Sequence, residues 1–256
     1  IILKILNNKF MEILKENLEK LIGRLSANDS EKLKNSLKEL MSVYPFNEYE
    51  YIISNLLGAD KITLDDYLRI REEYLARNEY LHIFEKYGSP TSFGITWAQS
   101  HVHAIVPEMK KPTKKDCPDF DNEYDFYYKL GKKQIKIEVK ASRAVDAKSE
   151  DPLYIKALSW NSKRPFDMNF QQIKPGHCDV FVWVAVWRDT IKYWIFAAKE
   201  VEKNKYYSKG QHRGNVGEGQ LHLNHDNIKE FNKYEAKPKE LLNKILTAYK
   251  RQRSKK

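Results

Sequence analysis

The stretch that decides the fold runs Tyr124-Asp125-Phe126-Tyr127-Tyr128-Lys129-Leu130, then Gly131-Lys132, then Lys133-Gln134-Ile135-Lys136-Ile137-Glu138-Val139-Lys140-Ala141-Ser142. Both arms alternate apolar and polar at period two, the mark of half-buried strands. Gly131-Lys132 suits a two-residue hairpin turn with glycine first. Such a turn sets Leu130 opposite Lys133, Phe126 opposite Ile137 and Asp125 opposite Glu138. One face then carries Tyr124, Phe126, Tyr128, Ile135, Ile137 and Val139 and belongs to a core. The other carries Asp125, Tyr127, Lys136, Glu138 and Lys140. Directly opposed side chains have Cβ atoms about 4.5–5.5 Å apart. Two carboxylates at that spacing repel unless a cation lies between them. Mg2+ is bound through one or two carboxylates plus substrate phosphate oxygens. Lys140, two residues beyond Glu138, points to the same side.

Downstream of the hairpin, Asp151-Pro152 reads as the cap and first turn of a helix running to about Trp160. Residues 180–187 are apolar at every position, which predicts a central strand buried on both faces. Arg188-Asp189-Thr190 turns this strand into another, from Ile191 to Ala198. Residues 208–220 are rich in Gly, His and polar groups and read as a long loop. A last helix starts at Pro238 and buries Leu241, Leu242, Ile245 and Leu246. Upstream, Leu14, Leu18, Leu21 and Leu25 recur at helical spacing. A break at residues 26–30 precedes a second helix with Leu33, Leu37, Leu40 and Met41. A short third helix spans about Tyr49 to Leu57 and stops at Gly58. Thr63 can cap a long fourth helix in which Tyr67, Ile70, Tyr74, Leu81 and Phe84 share a face. The expected organisation is a helical segment over residues 1–90 and an α/β region over residues 91–256.

The chain has 256 residues, enough for a sizeable core, with 45 Lys+Arg against 35 Asp+Glu and a net charge of +10. The excess is uneven: residues 1–105 carry a net charge of −2 and residues 106–256 a net charge of +12. The basic end, Lys250 to Lys256, reads as a solvated tail and supplies too few charges to account for the asymmetry. A polyanionic partner is therefore expected for the second region. No uninterrupted apolar run is long enough for a membrane span. Two cysteines, Cys117 and Cys178, exclude a disulfide scaffold and a four-cysteine zinc site. They suit a reducing compartment, and no secretory cleavage pattern opens the chain, so a cytoplasmic protein is expected.

Asp125, then a hairpin, then Glu138-Val139-Lys140 resembles the PD-(D/E)xK nuclease superfamily, and residues from about 95 to 200 look like its core. The size and the added helical segment look most like a type II restriction endonuclease. The resemblance implies a restriction-endonuclease-like α/β fold, a mixed β-sheet flanked by helices, carrying an N-terminal helical segment. It implies Mg2+-dependent hydrolysis of double-stranded DNA at a short specific site, leaving 5′-phosphates. Asp125 and Glu138 would hold Mg2+, helped by the backbone carbonyl of Val139. Lys140 would orient the attacking water and stabilise the transition state. A homodimer is expected for a palindromic site, with a cognate DNA methyltransferase as genetic partner. The literal Pro-Asp is Pro118-Asp119, six residues before Asp125 and roughly 20 Å away if extended. Cross-strand geometry favours Asp125, and Asp119 is the alternative. Some families recruit a further glutamate from a preceding helix, for which Glu79, Glu85 and Glu108 are candidates.

DNA contacts are expected from Lys163 and Arg164, from Gln172, and from Lys209, His212, Arg213 and Asn215 in the long loop. Arg, Lys, Asn and Gln are the side chains that read base edges bidentately. The plainer readings are a mobile surface loop, and a solvated strand face bearing a Glu–Lys pair. The histidines lack a complete zinc-ligand spacing, and no phosphate-cradling Walker loop is present. Trp183, Trp187 and Trp194 fall on buried strands and read as core. Two other functions stay open: a repair or recombination nuclease of the same core, and a DNA-binding protein without catalysis.

Overall fold

The computed structural model describes residues 20, 23–38, 56–118, 120–210 and 218–254. Most of the expected helix from Met11 to Leu25 and of the one from Tyr49 to Leu57 lies outside these residues, as do Leu40 and Met41 of the second expected helix. The chain forms two compact units, residues 1–77 and 78–256. No described helix is long and apolar enough to cross a membrane.

In the first unit, α1 (Ala27–Lys38) is capped by Ser26, whose Oγ accepts the Asp29 N–H at 3.2 Å. The second helix, α2 (Leu64–Arg77), starts in a reciprocal box. Thr63 Oγ1 accepts the Asp66 N–H at 3.1 Å, and Asp66 accepts the Thr63 N–H at 3.2 Å. Leu57, Leu64 and Tyr67 form a small buried cluster. The expected helix from Thr63 to Phe84 is broken by a turn at residues 78–80. It resumes as α3 (Leu81–Lys86), which delivers Ile83 and Phe84 into the core of the second unit.

The second unit is built on a five-stranded mixed sheet in the order β1-β2-β4-β5-β8. Its strands are β1 (Phe126–Leu130), β2 (Lys133–Arg143), β4 (Val180–Val186), β5 (Ile191–Ala197) and the short β8 (Glu235–Ala236). The hairpin register is the expected one: Leu130 faces Lys133 and Phe126 faces Ile137. Gly131 takes φ +60, which the first turn position requires and a side chain would oppose. The β2–β4 pairing is parallel, and every other pairing in this sheet is antiparallel.

One face of this sheet, with Ile137, Val139, Val182 and Val184, packs against two helices. These are α4 (Gln99–Ile105), which continues from a π-helical segment (Ser92–Ala98), and α6 (Leu241–Arg253). The shorter α5 (Ala198–Glu202) follows β5. The other face, with Phe181, Trp183, Trp194 and Phe196, meets a second, antiparallel sheet in the order β3-β7-β6. That sheet comprises β3 (Asp167–Ile173), β6 (Tyr207–Lys209) and β7 (Gly219–Asn224). Every residue of β4 is buried, as expected, because both faces are covered. The cover differs from the expectation of helices around the sheet: the second face is closed by strands. Met168, Phe170, Leu221 and Leu223 alternate with polar neighbours and supply the apolar side of that closing sheet.

Three further expectations change. Residues 151–160 form one turn and no helix, because Val145 bridges to Ala157 and the Leu158 N–H donates to the Ala144 carbonyl at 2.9 Å. Those backbone bonds keep the segment extended alongside the end of β2. Tyr127, expected on the polar face, is 1% exposed and packs with Tyr124 in the core that holds Phe181, Trp183 and Phe196. The basic end is helical through Arg253, and Arg251 pairs with Glu200 at 2.7 Å. The two sheet halves of the β6–β7 hairpin approach closely at Gly219, where a Cβ would collide with the Tyr207 ring. Gly219→Ala is expected to destabilise the protein by about 1–3 kcal/mol, read as a lower denaturation midpoint.

Candidate active site

Asp125 stands one step before β1. Its N–H donates to the Ile137 carbonyl at 3.0 Å, which holds it opposite Glu138. Its Oδ2 accepts the Val139 N–H at 2.8 Å, and its Oδ1 accepts a bond from the Gln99 amide. Gln99 sits at the start of α4 and is 8% exposed. Its own carbonyl oxygen accepts from Lys111 Nζ, so the amide is fixed from both ends. Across the hairpin, Glu138 Oε1 lies 2.7 Å from Lys140 Nζ, with the two side chains only 14% and 15% exposed. The β2–β4 register places Glu138 beside Phe181 and Lys140 beside Trp183. The charged pair therefore sits at the margin of the aromatic face.

Burial pushes the Glu138 carboxyl up to about 7; Lys140 opposes this and the neighbouring Asp125 carboxyl adds to it. Burial also raises Asp125, against the Val139 N–H and the charges of Lys140 and Lys111. The folded protein thus holds a proton on Glu138 more tightly than the unfolded chain does. Stability from that proton is full below the ordinary carboxylate range and is lost as pH rises through about 7. In EDTA, Glu138→Gln is therefore expected to melt above wild type at pH 8, by roughly 2–4 °C for each kcal/mol relieved. The difference shrinks toward pH 5. Equal melting differences at both pH values would contradict the raised carboxyl.

These groups open into a cleft of about 810 Å³. Its walls come from the π-helical segment (Phe93, Gly94, Ile95), from β2 and from β3. Five carboxylates line it, Glu123, Asp125, Glu138, Asp167 and Glu218, against three cations, Lys140, Arg143 and Lys174. The net charge of +12 over residues 106–256 is therefore not concentrated on the cleft lining. A phosphate would meet repulsion there without an added cation.

The expected trio is brought together, with the Val139 backbone beside it. Gln172 lines the same cleft, from β3 rather than from a loop or helix. Lys163, Arg164 and Lys209 are exposed and do not line it. Arg164 lies 3.5 Å from Asp146, and Lys209 is on β6 rather than in a loop. Asp119, His212, Arg213 and Asn215 lie outside the described residues. Glu79, Glu85 and Glu108 do not line the cleft. The preceding helix contributes Gln99 instead, together with Lys111 from the chain beyond it. Sequence reasoning missed both. The only available signal was that the helix before the hairpin begins at a glutamine.

Among the described residues, no group of three or more His, Cys, Asp or Glu side chains could hold a metal by itself. His101 bonds Tyr193 Oη at 2.6 Å, His177 bonds Asp121 at 2.8 Å and His222 bonds Asp167 at 2.8 Å. No protein-family model matches this chain, and no curated protein matches it in sequence.

Proposed function

We propose that this chain is a Mg2+-dependent endonuclease of the PD-(D/E)xK type, cutting double-stranded DNA at a short specific site as type II restriction endonucleases do. The observation that carries the reading is the pairing of Asp125 and Glu138 across one hairpin, with the Lys140 ammonium 2.7 Å from Glu138 in an open cleft. The donor set fits a hard divalent cation. Two carboxylates whose proximity raises proton affinity are relieved by a cation, and oxygen ligands with substrate phosphate completing the shell suit Mg2+. Asp125 and Glu138 would hold it. The Val139 carbonyl is directed to the same edge as its N–H, which serves Asp125. When bound, the ion supplies neutralising charge at the phosphate and a more acidic water.

The chain's own groups do the rest. Lys140 places positive charge beside the scissile phosphate and hydrogen-bonds the attacking water, lowering the cost of charge built up in the in-line transition state. Gln99 and the Val139 N–H fix the Asp125 carboxylate before substrate arrives, which removes the cost of ordering it later. A palindromic site would be read by a homodimer, and a methyltransferase would protect host DNA.

Purified protein is expected to cut several plasmids into discrete, reproducible bands with Mg2+ and to leave them intact in EDTA. The new ends should accept ligation through 5′-phosphates. Cutting only at flaps or junctions would assign a repair role to the same core. Binding without cutting under any divalent ion would reduce the chain to a DNA-binding protein.

A further inference from the structure

We infer that β3 is the base-reading element of the cleft and that its exposed amide side chains, Gln171 and Gln172, recognise adenine. This rests on the DNA-cutting reading. The strand begins with ordinary alternation: Met168 and Phe170 are buried, while Asp167 and Asn169 face away from the core. Continued alternation would bury residue 172. Instead the ladder with β7 shifts register between Phe170 and Ile173, and Gln172 adopts φ 54. Ile173 takes the buried place and both glutamines become exposed. A left-handed conformation is costly for a residue with a Cβ, and bulges re-aim side chains beside functional sites. All three amides line the cleft that holds Asp125, Glu138 and Lys140.

The chemistry of the lining selects the base. Guanine is read in the major groove by Arg or Lys, adenine by Asn or Gln donating to N7 and accepting from the N6 amino group. The three cations lining the cleft are all engaged by protein groups. Lys140 pairs with Glu138, and Lys174 pairs with Glu123 at 2.7 Å and Glu218 at 3.3 Å. Arg143 donates to the carbonyls of Tyr87 at 2.6 Å and Gly88 at 3.2 Å, over the Phe93 ring. Asn169 Nδ2 donates to Gln220 Oε1 at 3.1 Å, which orients its amide in the cleft wall beside the two glutamines.

The test uses the full chain with Ca2+ in place of Mg2+, so that the acidic lining is neutralised and binding is read apart from Mg2+-dependent cutting. The probes are fluorescein-labelled short duplexes of alternating A·T or alternating G·C, the A·T duplex with 7-deazaadenine, and single strands of each composition. The A·T duplex is expected to bind on the order of tenfold tighter than the G·C duplex. That ratio should collapse with 7-deazaadenine, and also in Gln171→Ala and in Gln172→Gly, the latter chosen because glycine accepts φ 54 without strain. Preference kept on single strands places the read base outside a duplex; preference confined to duplexes places it in the major groove. Equal affinity for both compositions, or a preference that survives 7-deazaadenine and both variants, overturns the inference. Site-specific cutting without adenine preference sinks this inference alone. Absence of both binding and cutting sinks the nuclease reading with it.

Discussion

Lys140→Ala is expected to slow DNA cutting by on the order of 10²–10³-fold while duplex binding with Ca2+ in place of Mg2+ survives. The ammonium is the only cation within bonding distance of Glu138 among the described residues, and both side chains are largely excluded from water. Removing it leaves a buried carboxylate without its counter-charge, so Glu138 moves further toward its protonated form. Under the proposed function the variant therefore lacks the group assigned to the transition state and also weakens the pair expected to hold Mg2+. Lys140→Arg should rescue poorly, since a planar guanidinium cannot occupy the place of a compact ammonium beside Trp183. Single-turnover cleavage of a plasmid, with thermal melts alongside, separates a chemical loss from a folding loss. A Lys140→Ala protein that cuts at the wild-type rate defeats the assignment.

The largest stability effect is expected at Trp183. Its side chain is fully buried, stacked on Phe170 with centroids 4.5 Å apart and packed on Phe196 at the same separation. It joins the central sheet to the second one. Trp183→Ala should cost about 3–5 kcal/mol, because the surrounding strands cannot collapse to fill the space. Trp183→Phe should cost far less. The indole N–H has no hydrogen-bond partner among the described residues, so only packing volume is lost. Urea denaturation monitored by circular dichroism distinguishes the two. A loss in Trp183→Phe as large as that in Trp183→Ala would contradict this packing account.

The hairpin was legible because its signals are local. Alternation sets which side chains share a face, and Gly131 sets the register, so Asp125 meets Glu138 without any distant contact being known. The buried β4 was legible for the same reason: seven successive apolar residues exclude a solvated face. The second sheet was not. Each of residues 167–173 and 219–224 carries only two or three alternating apolar positions beside polar, loop-like neighbours, and their pairing is between segments some fifty residues apart. Residues 151–160 show the opposite error, where a local Asp-Pro start was overridden by backbone pairing with residues 144–146. Gln99 and Lys111 escaped notice because an amide and a lysine carry no pattern until a carboxylate stands next to them.

Charge gives the clearest contrast. Composition places the basic excess in residues 106–256, and that much is additive along the chain. Where the charges point is not additive. The cleft lining is acidic, and its lysines are already paired. Period-two patterning and one glycine turn were sufficient for the hairpin and its three charged residues, since both act over a few neighbouring residues. Burial of Glu138, the Gln99 brace on Asp125 and the turned-out glutamines of β3 came only with tertiary packing. Each depends on a surface supplied by a distant part of the chain, and desolvation is a property of that surface rather than of the residue.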